Sequence, residues 1–115
     1  MRAKKQQEKR IIEERLISEQ RVLPKARGGG SLKYEVYGYK NAQGDDVVTR
    51  YSIAWINAAI HTGDNGRVLG IANAHDYHHR HLMGVIEPVN FSSFEATYDR
   101  FVEEWTSLVR AHKDP

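Results

Sequence analysis

The chain has 115 residues, 17 Lys/Arg against 15 Asp/Glu and no cysteine, a length that fits one domain with a modest core. The missing cysteines exclude disulfides and thiolate metal sites. No apolar run approaches the roughly 20 residues of a membrane span, and Met1-Arg2-Ala3-Lys4-Lys5 leads into a charged segment rather than the apolar core of a signal peptide. A cytoplasmic protein without membrane contact is therefore expected. Trp55, Trp105, Phe91, Phe94 and Phe101 in the second half argue against disorder.

Charge is unevenly spread. Residues 1–27 hold nine Lys/Arg and four Glu, whereas the other 88 residues hold eight Lys/Arg and eleven Asp/Glu. Such asymmetry fits a basic arm that meets nucleic acid or an acidic partner, and equally a solvated basic helix.

Strong helix formers over residues 3–22, with Ile11, Ile12, Leu16 and Ile17 at helical spacing, predict an N-terminal helix. Pro24 and Gly28-Gly29-Gly30 then predict a flexible joint, dividing a helical arm (1–27) from a folded domain (31–112). From residue 31 the period changes to two. Strands are predicted over 31–39, 47–56, 67–74 and 78–86, the last stopping before Pro88, with turn signals at Asn41-Ala42-Gln43-Gly44 and Asp64-Asn65-Gly66. Ser92 and Glu95 read as a capping box, followed by an apolar face of Phe94, Tyr98, Phe101, Val102, Trp105, Leu108 and Val109. Short connections cannot carry parallel crossovers. The expected fold is α+β: an N-terminal helix, a four-stranded antiparallel meander, and a C-terminal amphipathic helix across one sheet face.

Four of the six histidines, His75, His78, His79 and His81, fall in one seven-residue run with Arg80 among them. On a strand, His79 and His81 share one face and His78 and Arg80 the other. Three readings are open. Paired imidazoles with an arginine can supply the base, acid and cation for attack of a ribose 2′-hydroxyl on its phosphate, without metal. A His-x-His pair can hold a transition metal, completed by His75, Asp76 or Asn73. Or the histidines satisfy strand-end hydrogen bonds while Arg80 pairs a carboxylate. Arg50 and Tyr51 could reach a phosphate and a base, or serve a cross-strand pair and the core. Arg67 could stand at a rim beside its turn. Tyr34 reads as sheet packing, with Tyr37 and Tyr39 open as stacking surfaces.

The ordered stretch from Arg50-Tyr51 through Asp64-Asn65-Gly66-Arg67-Val68-Leu69-Gly70 to Asn73-Ala74-His75 and His78-His79-Arg80-His81 resembles the TumE family, toxins of toxin–antitoxin systems formerly described as a domain of unknown function. Met83-Gly84, Glu87-Pro88 and the aromatic helix extend the resemblance over residues 47–110, and the N-terminal arm is matched poorly. The resemblance implies a small toxin that stops growth by cutting RNA, paired with an antitoxin that often binds DNA. His79 and His81 would do the acid–base work, with His75, His78 and Arg80 beside them. Arg50, Arg67, Tyr51 and Asn73 would hold RNA. No cofactor and no metal ligand set is assigned. A metal-dependent hydrolase or transferase on the same histidines, or a non-catalytic module gripping antitoxin or nucleic acid, are the alternatives, and an exposed β-edge would suit a homo-oligomer. One departure stands out: the family shows an aromatic residue and then Asp before the Asn, where this chain has Ile71 and Ala72. The lost carboxylate would attenuate the histidines it serves.

Overall fold

Period-two alternation resolves, in the computed structural model of residues 13–74 and 77–113, into an antiparallel meander of six strands. They are β1 (Glu14–Val22), β2 (Ser31–Lys40), β3 (Asp46–Ile56), β4 (Arg67–Ala72), β5 (His79–Leu82) and β6 (Val85–Pro88), followed by the helix α1 (Phe94–Lys113). The α+β class and the C-terminal helix on the sheet are as expected. Among the described residues four strands become six, and the second half of the expected N-terminal helix is one of them.

Residues 14–22 pair with β2 along its outer edge, from Glu14 opposite Gly38 to Val22 opposite Ser31; residues 1–12 lie outside the described residues. Helix propensity is a weak preference, and the open backbone edge of β2 outweighs it. Most of β1 is exposed, so it is held by its ladder more than by burial. The glycine stretch is a hydrogen-bonded turn rather than a slack joint. Leu23 N–H donates to Gly30 O (2.9 Å), Trp55 Nε1 to Gly29 O (3.1 Å) and Asn57 Nδ2 to Gly28 O (2.8 Å). A Cβ on Gly30, where φ is +69°, would lie 2.0 Å from Ile56 O.

The strand expected over 78–86 is a hairpin. Met83 (φ 44°) and Gly84 (φ 88°) form its two-residue turn, with the left-handed pair that matches strand twist. Only Gly84 advertises this in the sequence, because methionine seldom occupies the left-handed region. The β4 strand ends at Ala72, and Asn73 continues the pairing with its side chain, Oδ1 accepting from Tyr51 N–H (2.9 Å) and Nδ2 donating to Thr49 O (2.9 Å). Ser93, not Ser92, caps α1: its Oγ accepts the Ala96 N–H at 3.1 Å.

Cross-strand partners share a face, so the register sorts the residues. Tyr34, Ile53, Ile71, Arg80 and Glu87 form one rung toward the helix, and Leu32, Trp55, Leu69, Leu82 and Val85 the next. With Phe101 of α1 these rungs supply most of the core, where Trp55, Ile53, Leu69 and Ile71 are all but inaccessible. Arg80 donates to Glu104 of α1 (2.9 Å) and Glu87 of β6 (2.8 Å), tying β5 to both. No helix among the described residues is long and apolar enough to cross a membrane.

Trp55→Ala removes the largest core side chain and its bond to the glycine turn; urea unfolding is expected to show a loss of about 3–5 kcal/mol. Val22→Ala on the outer face of β1, where Val22 is 83% exposed, is expected to stay within about 0.5 kcal/mol.

Candidate active site

The sheet face away from α1 is open, and two rungs cross it. One runs Glu35, Ser52, Ala72, His79, Pro88; the next runs Lys33, Ala54, Gly70, His81, Ile86. Small residues occupy the middle of both. The result is a trough floored by β3 and β4, with the imidazoles of β5 on one wall and Glu35 and Lys33 of β2 on the other. A Cβ on Gly70 would come 2.7 Å from Arg67 Cδ, so the glycine is what lets that side chain lie across the floor.

His79 and His81 are 5% and 7% exposed, with ring centroids 4.9 Å apart. The His79 Nδ1–H donates to Tyr77 O at 3.0 Å, which leaves Nε2 as the atom able to exchange a proton. His81 Nδ1 lies 3.3 Å from Asp64 Oδ2, but off the line of a well-formed hydrogen bond. Asp64 is itself gripped by Arg67, whose Nε and a terminal nitrogen donate at 2.9 and 2.8 Å. That grip holds the Asp64 carboxyl below its ordinary range, and His81 adds a smaller pull in the same direction. Burial lowers the His81 pKa first and the Arg67 charge lowers it further, while Asp64 acts in the opposite sense. His81 is thereby held neutral near neutral pH. The turn bringing Asp64 into place has Asp64, Asn65 and Gly66 at φ 51°, 56° and 82°, a left-handed run that Asp, Asn and Gly tolerate best.

Arg50 enters the same cavity of about 300 Å³ that Arg67, His79 and His81 line. Its guanidinium sits 4.0 Å over the Tyr37 ring and donates to Glu13 at 3.1 Å. Thr49 Oγ1 also donates to Glu13, and this bond, with the Arg50 contacts, holds the Glu13 carboxyl below its ordinary range.

Of the residues expected at the site, His79, His81, Arg67 and Arg50 share this cavity. Three others turn the other way. Arg80 is spent on Glu104 and Glu87. Tyr51 borders the cavity, but its ring is buried against Phe94 and its hydroxyl shares a hydrogen bond with His78 Nδ1 at 2.9 Å, so it offers no stacking surface to a base. His78 stacks on Phe91 at 4.0 Å, and burial, with the nearby His79 charge, lowers its pKa. Asn73 spends its amide on the β3 backbone. His75 and Asp76 lie outside the described residues.

Asp64, Glu35, Ser52 and Lys33 were not among the expected site residues. The Asp-Asn-Gly-Arg turn was legible as a turn, but the return of its carboxylate to His81 depends on β4–β5 pairing. Among the described residues no three His, Asp or Glu converge as metal ligands. A larger cavity of about 510 Å³ lies at Trp55, Asn57 and Val109. Its one histidine, His112, has Nδ1 bound to Leu108 O, so that cavity holds no acid–base pair. Compared with models of protein families, with curated proteins and with solved structures, the chain found no match.

Because burial holds His81 and His78 below the ordinary imidazole value of 6.5, the unfolded chain takes up protons first on acidification. Their contribution to stability is complete above that value and is lost as pH falls through the folded-state values. The urea midpoint is expected to drop between about pH 7 and about pH 5. By NMR, His81 should titrate below 6.5, and lower still in Asp64→Asn, where the opposing carboxylate charge is gone. An unmoved His81 titration would show that Asp64 does not act on it.

Proposed function

We propose that the chain is a toxin of the TumE type that cleaves RNA by attack of a ribose 2′-hydroxyl on the adjacent phosphate. The observation that carries this reading is the pairing of His79 and His81 with Arg67 and Arg50 in one cavity on the open face. The resemblance of the residue pattern over 47–110 to TumE proteins supports the toxin role and a cognate antitoxin as partner.

In this reaction His81, neutral, takes the 2′-hydroxyl proton. The 2′-oxygen bonds to phosphorus, and the bond from phosphorus to the 5′-oxygen of the next nucleotide breaks. His79, protonated at Nε2, gives that oxygen its proton, and the products are a 2′,3′-cyclic phosphate and a free 5′-hydroxyl. Arg67 and Arg50 offset the charge that builds on the phosphate oxygens; Arg67 is aimed by Asp64, and Arg50 by Tyr37 and Glu13. Asp64 is a positioning residue beside His81, whereas the Asp that the family resemblance would put at position 72 lies on the rung next to His79. This chain thus lacks a carboxylate on one imidazole and carries one on the other.

Purified protein incubated with total RNA is expected to cut it equally well with and without chelator. His79→Ala and His81→Ala should each lower the rate by about 10²–10⁴-fold, with circular dichroism confirming the fold. RNA left intact under all conditions overturns the reading, and dependence on added metal replaces it with metal-assisted hydrolysis. Ala72→Asp places a carboxylate beside His79 and is expected to strengthen growth arrest on expression, measured as colony formation.

A further inference from the structure

The trough does not end at the histidines. A second cavity of about 220 Å³ continues it along β3 and shares Glu35, Ser52 and Arg67 with the first. The floor residues Arg50, Ser52, Ala54 and Ile56 lie on alternate positions of that strand, a run of about 20 Å at the usual rise per residue. That length exceeds what a single phosphodiester needs. Lys33, on the wall across from His81, and Asn65 line this second cavity, and both are exposed. Among the described residues Lys33 makes no ion pair, in contrast to Lys40, which is spent on Asp46 at 2.9 Å. Lys33 sits on the same rung as His81, across Ala54 and Gly70.

We infer that this second cavity is a second binding position for single-stranded RNA, holding the phosphate next to the one that is cleaved. The assignment of the first position rests on the ribonuclease reading above; the binding at the second does not. Lys33 supplies the charge and Asn65 a side-chain amide at the rim, while the Asp64 carboxylate that also lines this cavity is paired with Arg67. Arg67 stands at the junction, fixed by Asp64 and able to face either phosphate. Glu35 lines the same waist, where a carboxylate repels phosphate. It therefore keeps the backbone charges to either side of itself and is left to accept a hydrogen bond from a ribose hydroxyl or a base amine between them. A two-position trough selects a flexible single strand, because successive phosphates must settle onto a floor of backbone and small side chains.

The test uses 2′-O-methyl oligonucleotides, which lack the attacking hydroxyl: a dinucleotide with one internal phosphate and a trinucleotide with two. Binding is followed by fluorescence anisotropy over a range of salt. The wild-type chain is expected to bind the trinucleotide roughly tenfold more tightly, as a charge-assisted contact allows, with a salt dependence steeper by about 0.7 for the added phosphate contact. Lys33→Gln should bring the trinucleotide close to the affinity of the dinucleotide, whereas Lys40→Gln should preserve the difference. A trinucleotide advantage that survives Lys33→Gln, or that Lys40→Gln removes equally, overturns the second position. Wild-type protein that shows the Lys33-dependent difference but never cuts natural RNA keeps the binding position and defeats the ribonuclease reading. RNA cleavage with no dependence on substrate length or on Lys33 does the reverse.

Discussion

The register of β5 against β4 is the constraint on which the site depends. Gly70 opposite His81 and Ala72 opposite His79 put two imidazoles on the sheet face away from α1, beside residues small enough to leave a trough. The same pairing sends Arg80 to the other face, where Glu104 and Glu87 take its charge. A slip of one residue would reverse these assignments, burying His79 and His81 against α1 and turning Arg80 out. Two features oppose the slip. The Met83 N–H donates to Val68 O (2.9 Å) and pins the hairpin turn to β4, and turning Arg80 out would take from Glu104 and Glu87 the guanidinium that pairs them. The contribution of Arg80 is thus to specify the fold that presents the histidines.

Electrostatics on the open face follow from a single turn. Asp64 neutralises part of the Arg67 charge and aims the guanidinium across the floor, while its second contact reaches toward His81. Burial and Arg67 favour neutral His81; Asp64 opposes them without reversing the outcome. On the other face Tyr51, His78, Phe91 and Phe94 pack as an aromatic cluster closed by the Tyr51 O–H. Two adjacent histidines, 78 and 79, thereby serve different ends: one completes the packing under the helix, the other faces the trough.

The two edges of the sheet are both poor templates for a further strand. The exposed β1 strand carries a bulge between Arg15 and Ile17, which interrupts the flat ladder another strand would need. At the opposite edge β6 is only four residues long, with Val85 and Ile86 exposed. Both features limit unspecific edge pairing while leaving the trough accessible between them.

Much of this arrangement was legible in the chain. The alternation in residues 31–56 marks its strands, and the stripe from Phe94 to Val109 marks the helix, because burying one face imposes a period of two or of 3.6. The alternation of His78, His79, Arg80 and His81 likewise sorted them into two faces before any partner was known. Other features depended on contacts distant in sequence. Residues 14–22 favour a helix locally and form a strand because β2 offers an edge. Met83 turns the chain although its side chain is atypical for that geometry. Tyr51 and Asn73 went to packing and backbone bonds, and Asp64 reached His81 from a turn seventeen residues earlier. Local preference and periodicity are written along the chain, whereas strand neighbours, and hence which charge faces which imidazole, exist only once the sheet has closed its register.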